Sequence, residues 1–138
     1  YWAEAKTRLV GVQPEVIERY NVVSAPVAAQ MALGAAQASG SDIAVSVTGL
    51  AGPGGGDAVR PVGTVYLGAA RGGKVYVQKL FVSRPDRALV RARAAQAALT
   101  LALRLAQGKV PAHTKPLAAA QQQDEAALAA LNEAFLAE

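Results

Sequence analysis

Apolar positions along the chain change spacing in a way that marks out its elements. Residues 1–12 read as the end of a strand followed by a short helix, with Ala5, Leu9 and Val10 at helical spacing and Gly11 as the stop. A second short helix is expected from Pro14 to Tyr20, with Val16 and Ile17 turned inward. Asn21, Val22 and Val23 form a connector. Ser24 then caps a longer helix that carries Pro26 in its first turn, where the missing N–H costs nothing. Val27, Met31 and Leu33 to Ala35 supply its buried stripe through about Ala38, and Gly40 stops it. The alanine content and Gly34 suggest that this helix packs closely on a sheet.

Strand signals follow. Ile43 to Thr48 is a short apolar run that reads as a strand buried on both faces. It ends in Gly49-Leu-Ala-Gly-Pro-Gly-Gly-Gly56, a composition that no regular element tolerates. Val62 to Ala70 and Lys74 to Val82 flank Arg71-Gly-Gly-Lys74 as a hairpin. Ser83, Pro85 and Asp86 look like a helix start with Ser83 as cap. That helix runs to about Gln107, with Gly108 beyond it and Val90, Ala94, Ala97, Leu101 and Leu105 on one face. Lys109 to Pro116 reads as a linker. Leu117 to Glu138 reads as a helix or an alanine- and glutamine-rich tail, with Leu128, Leu131 and Phe135 at helical spacing. The order of elements predicts an α/β fold, a three-layer α/β/α sandwich whose mixed sheet is covered on both faces.

Composition narrows the chemistry. With 138 residues, 52% of them hydrophobic and 17% charged, the chain suits one domain with a real core and is not disordered. Cysteine is absent, which excludes disulfides and a thiolate nucleophile, and a lone His113 excludes a histidine-based zinc site. No apolar run is long enough for a membrane helix, and the amphipathic start is unlike a signal peptide, so a cytoplasmic location without membrane association is expected. Residues 1–108 hold 12 Lys/Arg against 6 Asp/Glu, a net of +6, and residues 109–138 hold 2 against 4, a net of −2. A basic body is compatible with a phosphate-bearing partner, but the few aromatics speak against nucleic acid.

Three places are candidates for chemistry. The glycine loop after Thr48 stands where a strand delivers backbone N–H groups to a sheet edge, and such groups form anion nests. It is neither a Walker A loop nor a Rossmann fingerprint, and a long turn is the plain alternative. Arg84, Arg87 and Arg91 fall on one face at a helix start, where acids are usually preferred. They suit a phosphate or form a solvated basic face. Lys6, with Tyr1, is the third: a desolvated lysine near a strand end serves as a base, although spacing alone favours a surface position. His113 reads as inert and Trp2 as core.

Ser46-Val-Thr-Gly-Leu-Ala-Gly-Pro-Gly-Gly-Gly56 followed by Arg60-Pro-Val-Gly-Thr-Val-Tyr66 resembles the signature of the CinA (competence/damage-inducible protein A) C-terminal domain. Tyr1-Trp-Ala-Glu-Ala-Lys6, Val23-Ser24 and Pro85-Asp-Arg87 through Gln96-Ala97 resemble three further family segments in order and spacing. The likeness covers residues 1 to about 107, so that 1–108 is expected to be a partial domain of this kind, with 109–138 its linker and tail. It implies an amide hydrolase that converts nicotinamide mononucleotide to nicotinate mononucleotide and ammonia, by a serine nucleophile and a lysine base, without metal or other cofactor, and as a homodimer. Matched by motif, Lys6 is the base and Tyr1 its assistant. Thr48, Gly49, Gly52, Gly54, Gly55, Gly56 and Arg87 line the substrate site.

The chain departs from the pattern as well. The family's serine lies in an Ala-Glu-Ser-x-Thr-Gly-Gly segment that residues 1–138 do not contain, and Ser41, Ser46 and Ser83 do not match it. Trp2 and Ala3 replace a serine and an asparagine, and Arg84-Pro85 replaces a glycine. The first strand and helix of the family fold therefore have no counterpart in this chain. That departure leaves the alternative of a catalytically inactive nucleotide-binding or interaction module.

Overall fold

The computed structural model describes residues 3–137. Three helices open the chain: α1 (Ala3–Val10), α2 (Pro14–Tyr20) and α3 (Ala25–Ser39). The strands β1 (Ile43–Gly49), β2 (Thr64–Arg71) and β3 (Lys74–Phe81) follow, then α4 (Arg87–Ala106), β4 (Lys115–Ala118), a 3-10 turn over Ala119–Gln121, and α5 (Glu125–Leu136). Ser24 caps α3 as the sequence predicts, its hydroxyl accepting from the Val27 N–H at 3.4 Å, and Gly40 ends the helix in the left-handed region. Gly72 and Gly73 both have positive φ, which is what a two-residue hairpin turn between right-twisted strands requires. Among the described residues, no helix is long and apolar enough to cross a membrane.

The α/β class and the layering are as expected, but the sheet is antiparallel at every seam, in the order β1-β2-β3-β4, rather than mixed. The reason lies in the last connection. α4 carries the chain back toward the hairpin turn, where Arg71 donates to the Leu105 carbonyl. Residues 109–114 then double back, so β4 enters against β3 in the opposite direction. The linker expected over 109–116 is shorter for the same reason, since Lys115 and Pro116 already pair with Val77 and Tyr76. Pro116 is tolerated because β4 is an edge strand.

The strand buried on both faces is β2, not β1. From Thr64 to Ala70 every β2 residue is buried, with Tyr66 and Ala70 in the core under α3 and α5, and Val65, Leu67 and Ala69 in the core under α4. β1 lies at the edge, and Val47 is 37% exposed. A short apolar run does not reveal whether it sits at the centre or the rim of a sheet. The C-terminal segment joins the body: Phe135 meets Tyr66 edge-on at 5.7 Å, and Leu128 and Leu131 share the same core.

Two other expectations are corrected. α4 is capped by Asp86, whose carboxylate accepts from the Leu89 N–H at 2.9 Å, and not by Ser83. Pro85 keeps the residue before it out of the helical region, so the helix cannot start until the proline is passed. Gly34 faces α1 rather than the sheet, for a Cβ there would stand 1.6 Å from the Val10 carbonyl oxygen. The close approach to the sheet is made at Gly68 instead. A Cβ there would lie 2.5 Å from the Ala28 carbonyl oxygen, which already accepts from the Ser46 hydroxyl at 2.7 Å. The Gly34→Ala variant is therefore expected to force α1 off α3 and to cost about 1–3 kcal/mol, the usual range for overpacking. Equilibrium denaturation measures this, and an unchanged midpoint would refute the contact.

Candidate functional site

The α2–α3 connector has a chain of carbonyls to satisfy. Asn21 has a φ of 78°, which breaks the helical path, and its side chain accepts from the Val23 N–H at 3.0 Å. The four carbonyls from Tyr20 to Val23 are each taken by a side chain. Ser24 donates to Asn21 at 2.8 Å, Thr48 to Val22 at 2.8 Å, and Arg60 to both Tyr20 (2.7 Å) and Val23 (2.9 Å). Arg60 and Thr48 thus bind the connector to the far end of β1 and to the loop that follows it.

The loop itself is closed at its neck by backbone bonds, Leu50 N–H to Thr64 at 2.9 Å and Gly63 N–H to Leu50 at 2.8 Å. Asp57 makes a tight turn inside it. Its carboxylate accepts from the Arg60 N–H at 2.7 Å and the Val59 N–H at 2.9 Å. These bonds, that from Arg60 foremost, hold the Asp57 carboxyl below the usual carboxylate range. Gly52 has a φ of 85°, and a Cβ there would fall 2.6 Å from Val62 Cγ1. A Cβ on Gly56 would be equally close to the Val62 nitrogen. Side chains at either position would push the loop off its own return strand. On the opposite side Arg87, the first residue of α4, donates to the Gly52 carbonyl at 3.2 Å.

The amides of Gly52, Gly54, Gly55 and Gly56 donate to no other group among the described residues. Unpaired N–H donors on successive glycines are the kind of backbone that can accept an anion. Thr48 is buried, and its hydroxyl proton is used on the Val22 carbonyl. Gly49 is the last residue of β1 and pairs with Val65. Arg84 and Arg91 are exposed and touch neither loop nor neighbour by hydrogen bond, so Arg87 alone of that trio reaches the loop.

The structure therefore brings Thr48, Gly49, the glycine loop and Arg87 to one end of the sheet. Lys6 enters from a different element. It lies in the middle of α1, not at a strand end, and is 6% exposed rather than on the surface. α1 packs on α3 and α2, with the Lys6 carbonyl accepting from the Val12 N–H at 3.1 Å. Tyr1 and Trp2 lie outside the described residues. Among the described residues, no three His, Asp or Glu side chains gather to hold a metal ion. The residue that sequence reasoning missed is Arg60. The signal available for it in the sequence is its place as the lone arginine between Gly49 and Thr64. Arg60→Met keeps the stem and removes both charged hydrogen bonds. It is expected to cost about 1–3 kcal/mol and to speed amide exchange across residues 50–63, while α5 stays protected.

Comparison with known proteins places this geometry. The model of the CinA C-terminal domain matches residues 1–106. A CinA-like protein of Geobacter sp. (strain M21) is 52% identical over 91 residues, which make up 66% of this chain and 22% of that protein. A nicotinamide-nucleotide amidohydrolase PncC of Enterobacter agglomerans is 48% identical over 105 residues, 75% of this chain and 63% of the relative. The chain thus spans less than a quarter of the first of these and under two thirds of the second. Among solved structures, the competence/damage inducible protein CihA from Agrobacterium tumefaciens superposes with a TM-score of 0.72 at 37% identity, covering 79% of this chain and 66% of that one. A competence-damaged protein (CinA) superfamily protein from Escherichia coli gives 0.71 at 34% identity, covering 76% and 60%. On the extent of the model match and the shared fold, this chain belongs to the CinA C-terminal domain family.

Proposed function

We propose that the protein serves as an amide hydrolase that deamidates nicotinamide mononucleotide to nicotinate mononucleotide and ammonia, and so takes part in pyridine nucleotide recycling. The observation that carries this reading is a glycine loop whose amides have no acceptor among the described residues and which Arg87 holds by the Gly52 carbonyl. The name of the Enterobacter agglomerans relative supports the choice of substrate. An amide is a poor electrophile and ammonia a poor leaving group, so the reaction needs an activated nucleophile, a proton for nitrogen and donors for the oxyanion. In this reading the loop amides of Gly52 to Gly56 hold the oxyanion or the phosphate, and Arg87 pairs with the phosphate while fixing the loop through Gly52. Lys6 takes the proton of the nucleophile and returns it to the leaving nitrogen, with Tyr1 assisting. By the same family resemblance the protein works as a homodimer, and the composition of the chain supports a cytoplasmic location.

A second reading has its own observation. The hydroxyls of Ser24, Ser39 and Ser46 all donate to backbone carbonyls, those of Asn21, Ala35 and Ala28. Those protons hold the fold together, and none is committed to a base. On this reading residues 1–138 bind the nucleotide and turn nothing over. Calorimetric titration with nicotinamide mononucleotide, run beside an ammonia assay, separates the two: binding with ammonia release supports hydrolysis, and binding without it supports the module.

Where ammonia is released, Lys6→Ala is expected to lower the rate by about 10²–10⁴, the usual worth of a positioned general base. Release at the parent rate would remove Lys6 from the mechanism. Arg87→Ala is expected to raise KM with little change in kcat. Equal affinity of the parent for nicotinamide riboside and its phosphate would argue against a phosphate contact there.

A further inference from the structure

A groove away from the glycine loop lies along α4. Residues 58–123 contain eleven lysines and arginines and a single acid, Asp86. Two of these cations, Arg93 and Arg104, line a groove of about 310 Å3 between α4, β3 and the 109–114 segment, a volume at the lower end for small organic ligands. Arg93, Gln96, Thr100 and Arg104 line one wall, all on one face of α4, and Gln78 and His113 line the other side. No carboxylate is among the lining residues. Thr100 uses its hydroxyl proton on the Gln96 carbonyl at 3.0 Å, but the cationic side chains are little engaged. Arg93 and His113 make no hydrogen bond or ion pair among the described residues, and Arg104 has only a long bond of 3.5 Å to Gln107.

Two features give the groove a shape. Arg93 and Arg104 are eleven residues apart, which is three turns, or about 16 Å along the helix axis. The cations therefore stand at opposite ends, with an apolar floor of Leu80, Leu101 and Pro111 between them. His113 borders the groove with a φ of 58°, a left-handed conformation that a side-chain-bearing residue adopts at a cost. A neutral ligand would leave both guanidinium groups unanswered, and a compact anion would answer only one.

We propose that this groove binds a small organic molecule with a phosphate group toward each end and an apolar or planar body between. Such a bisphosphate pairs one anion with Arg93 and the other with Arg104, and its body covers the apolar floor. The proposal does not depend on the deamidase reading, because it concerns a different set of residues and is tested by binding alone.

The test is calorimetric titration of the 138-residue chain with adenosine 3′,5′-bisphosphate, adenosine 5′-monophosphate and inorganic phosphate. The bisphosphate is expected to bind at least tenfold more tightly than the monophosphate, and inorganic phosphate more weakly than either. Arg93→Ala and Arg104→Ala each alter an exposed side chain, and circular dichroism is expected to show an unchanged fold. Either variant is expected to reduce the bisphosphate to the affinity of the monophosphate. The proposal is overturned by equal affinities in the parent, by no binding of either nucleotide, or by an advantage that survives both substitutions. It is also overturned if the advantage disappears only in Arg87→Ala, which would assign the ligand to the glycine loop.

Discussion

The far end of the sheet depends on how the α2–α3 connector disposes of its carbonyls. Four successive oxygens, from Tyr20 to Val23, point away from any regular ladder, and each is met by a side chain. A carbonyl left without a donor in such a place costs about 1–3 kcal/mol, so four in a row would be a serious burden on a domain of this size. Arg60 meets two of them with charged donors and comes from a residue nearly forty positions away in sequence. The same side chain therefore closes the connector and anchors the glycine loop. Among the described residues, no buried side-chain nitrogen or oxygen lacks a partner.

That anchoring explains how a loop of glycines can be ordered without ordinary packing. Fixing the backbone of glycine is entropically expensive, since it has the most conformations to lose. Here the cost is offset at a few points: the neck bonds of Leu50 and Gly63, the Asp57 turn, the Arg60 bridge and the Arg87 contact. Between those points the amides of Gly52, Gly54, Gly55 and Gly56 are left without acceptors among the described residues, and the loop is both held and chemically open.

The sequence was most legible where local chemistry decides. Ser24, Gly40, the Gly72-Gly73 turn and the buried face of α4 act over one or two turns of chain, and each is found where it was expected. It was least legible where tertiary partners decide. Ile43 to Thr48 carries the same apolar signal whether it has one neighbour or two, and only the β2 and β3 pairing makes it the edge. Gly34 announced a close contact without saying that the partner would be the Val10 carbonyl. Lys115 to Ala118 is too short, and too interrupted by Pro116, to read as a strand before Val75 and Val77 are there to receive it. In the candidate site the glycine loop and Arg87 were visible as composition and spacing. The part played by Arg60 was not, because a carbonyl acceptor leaves no mark on the residue that offers it.

The start of α4 shows how the loop and the helix depend on one another. An arginine at the first helical position faces the positive end of the macrodipole, a placement that usually costs a few tenths of a kcal/mol or more. A neighbouring charge and one acceptor offset it here. The Asp86 carboxylate at the cap places a negative charge next to Arg87 in sequence, and the Gly52 carbonyl takes one guanidinium N–H. Asp86 also satisfies the Leu89 amide, so one carboxylate both starts the helix and makes the neighbouring cation tolerable. The remaining side-chain N–H groups of Arg87 make no other hydrogen bond among the described residues. An anion bound there would relieve the repulsion between arginine and dipole at the same time as it filled the loop. Arg87 at the first helical position thus ties the loop to the start of α4 through Gly52 and keeps its other N–H groups open to a further acceptor.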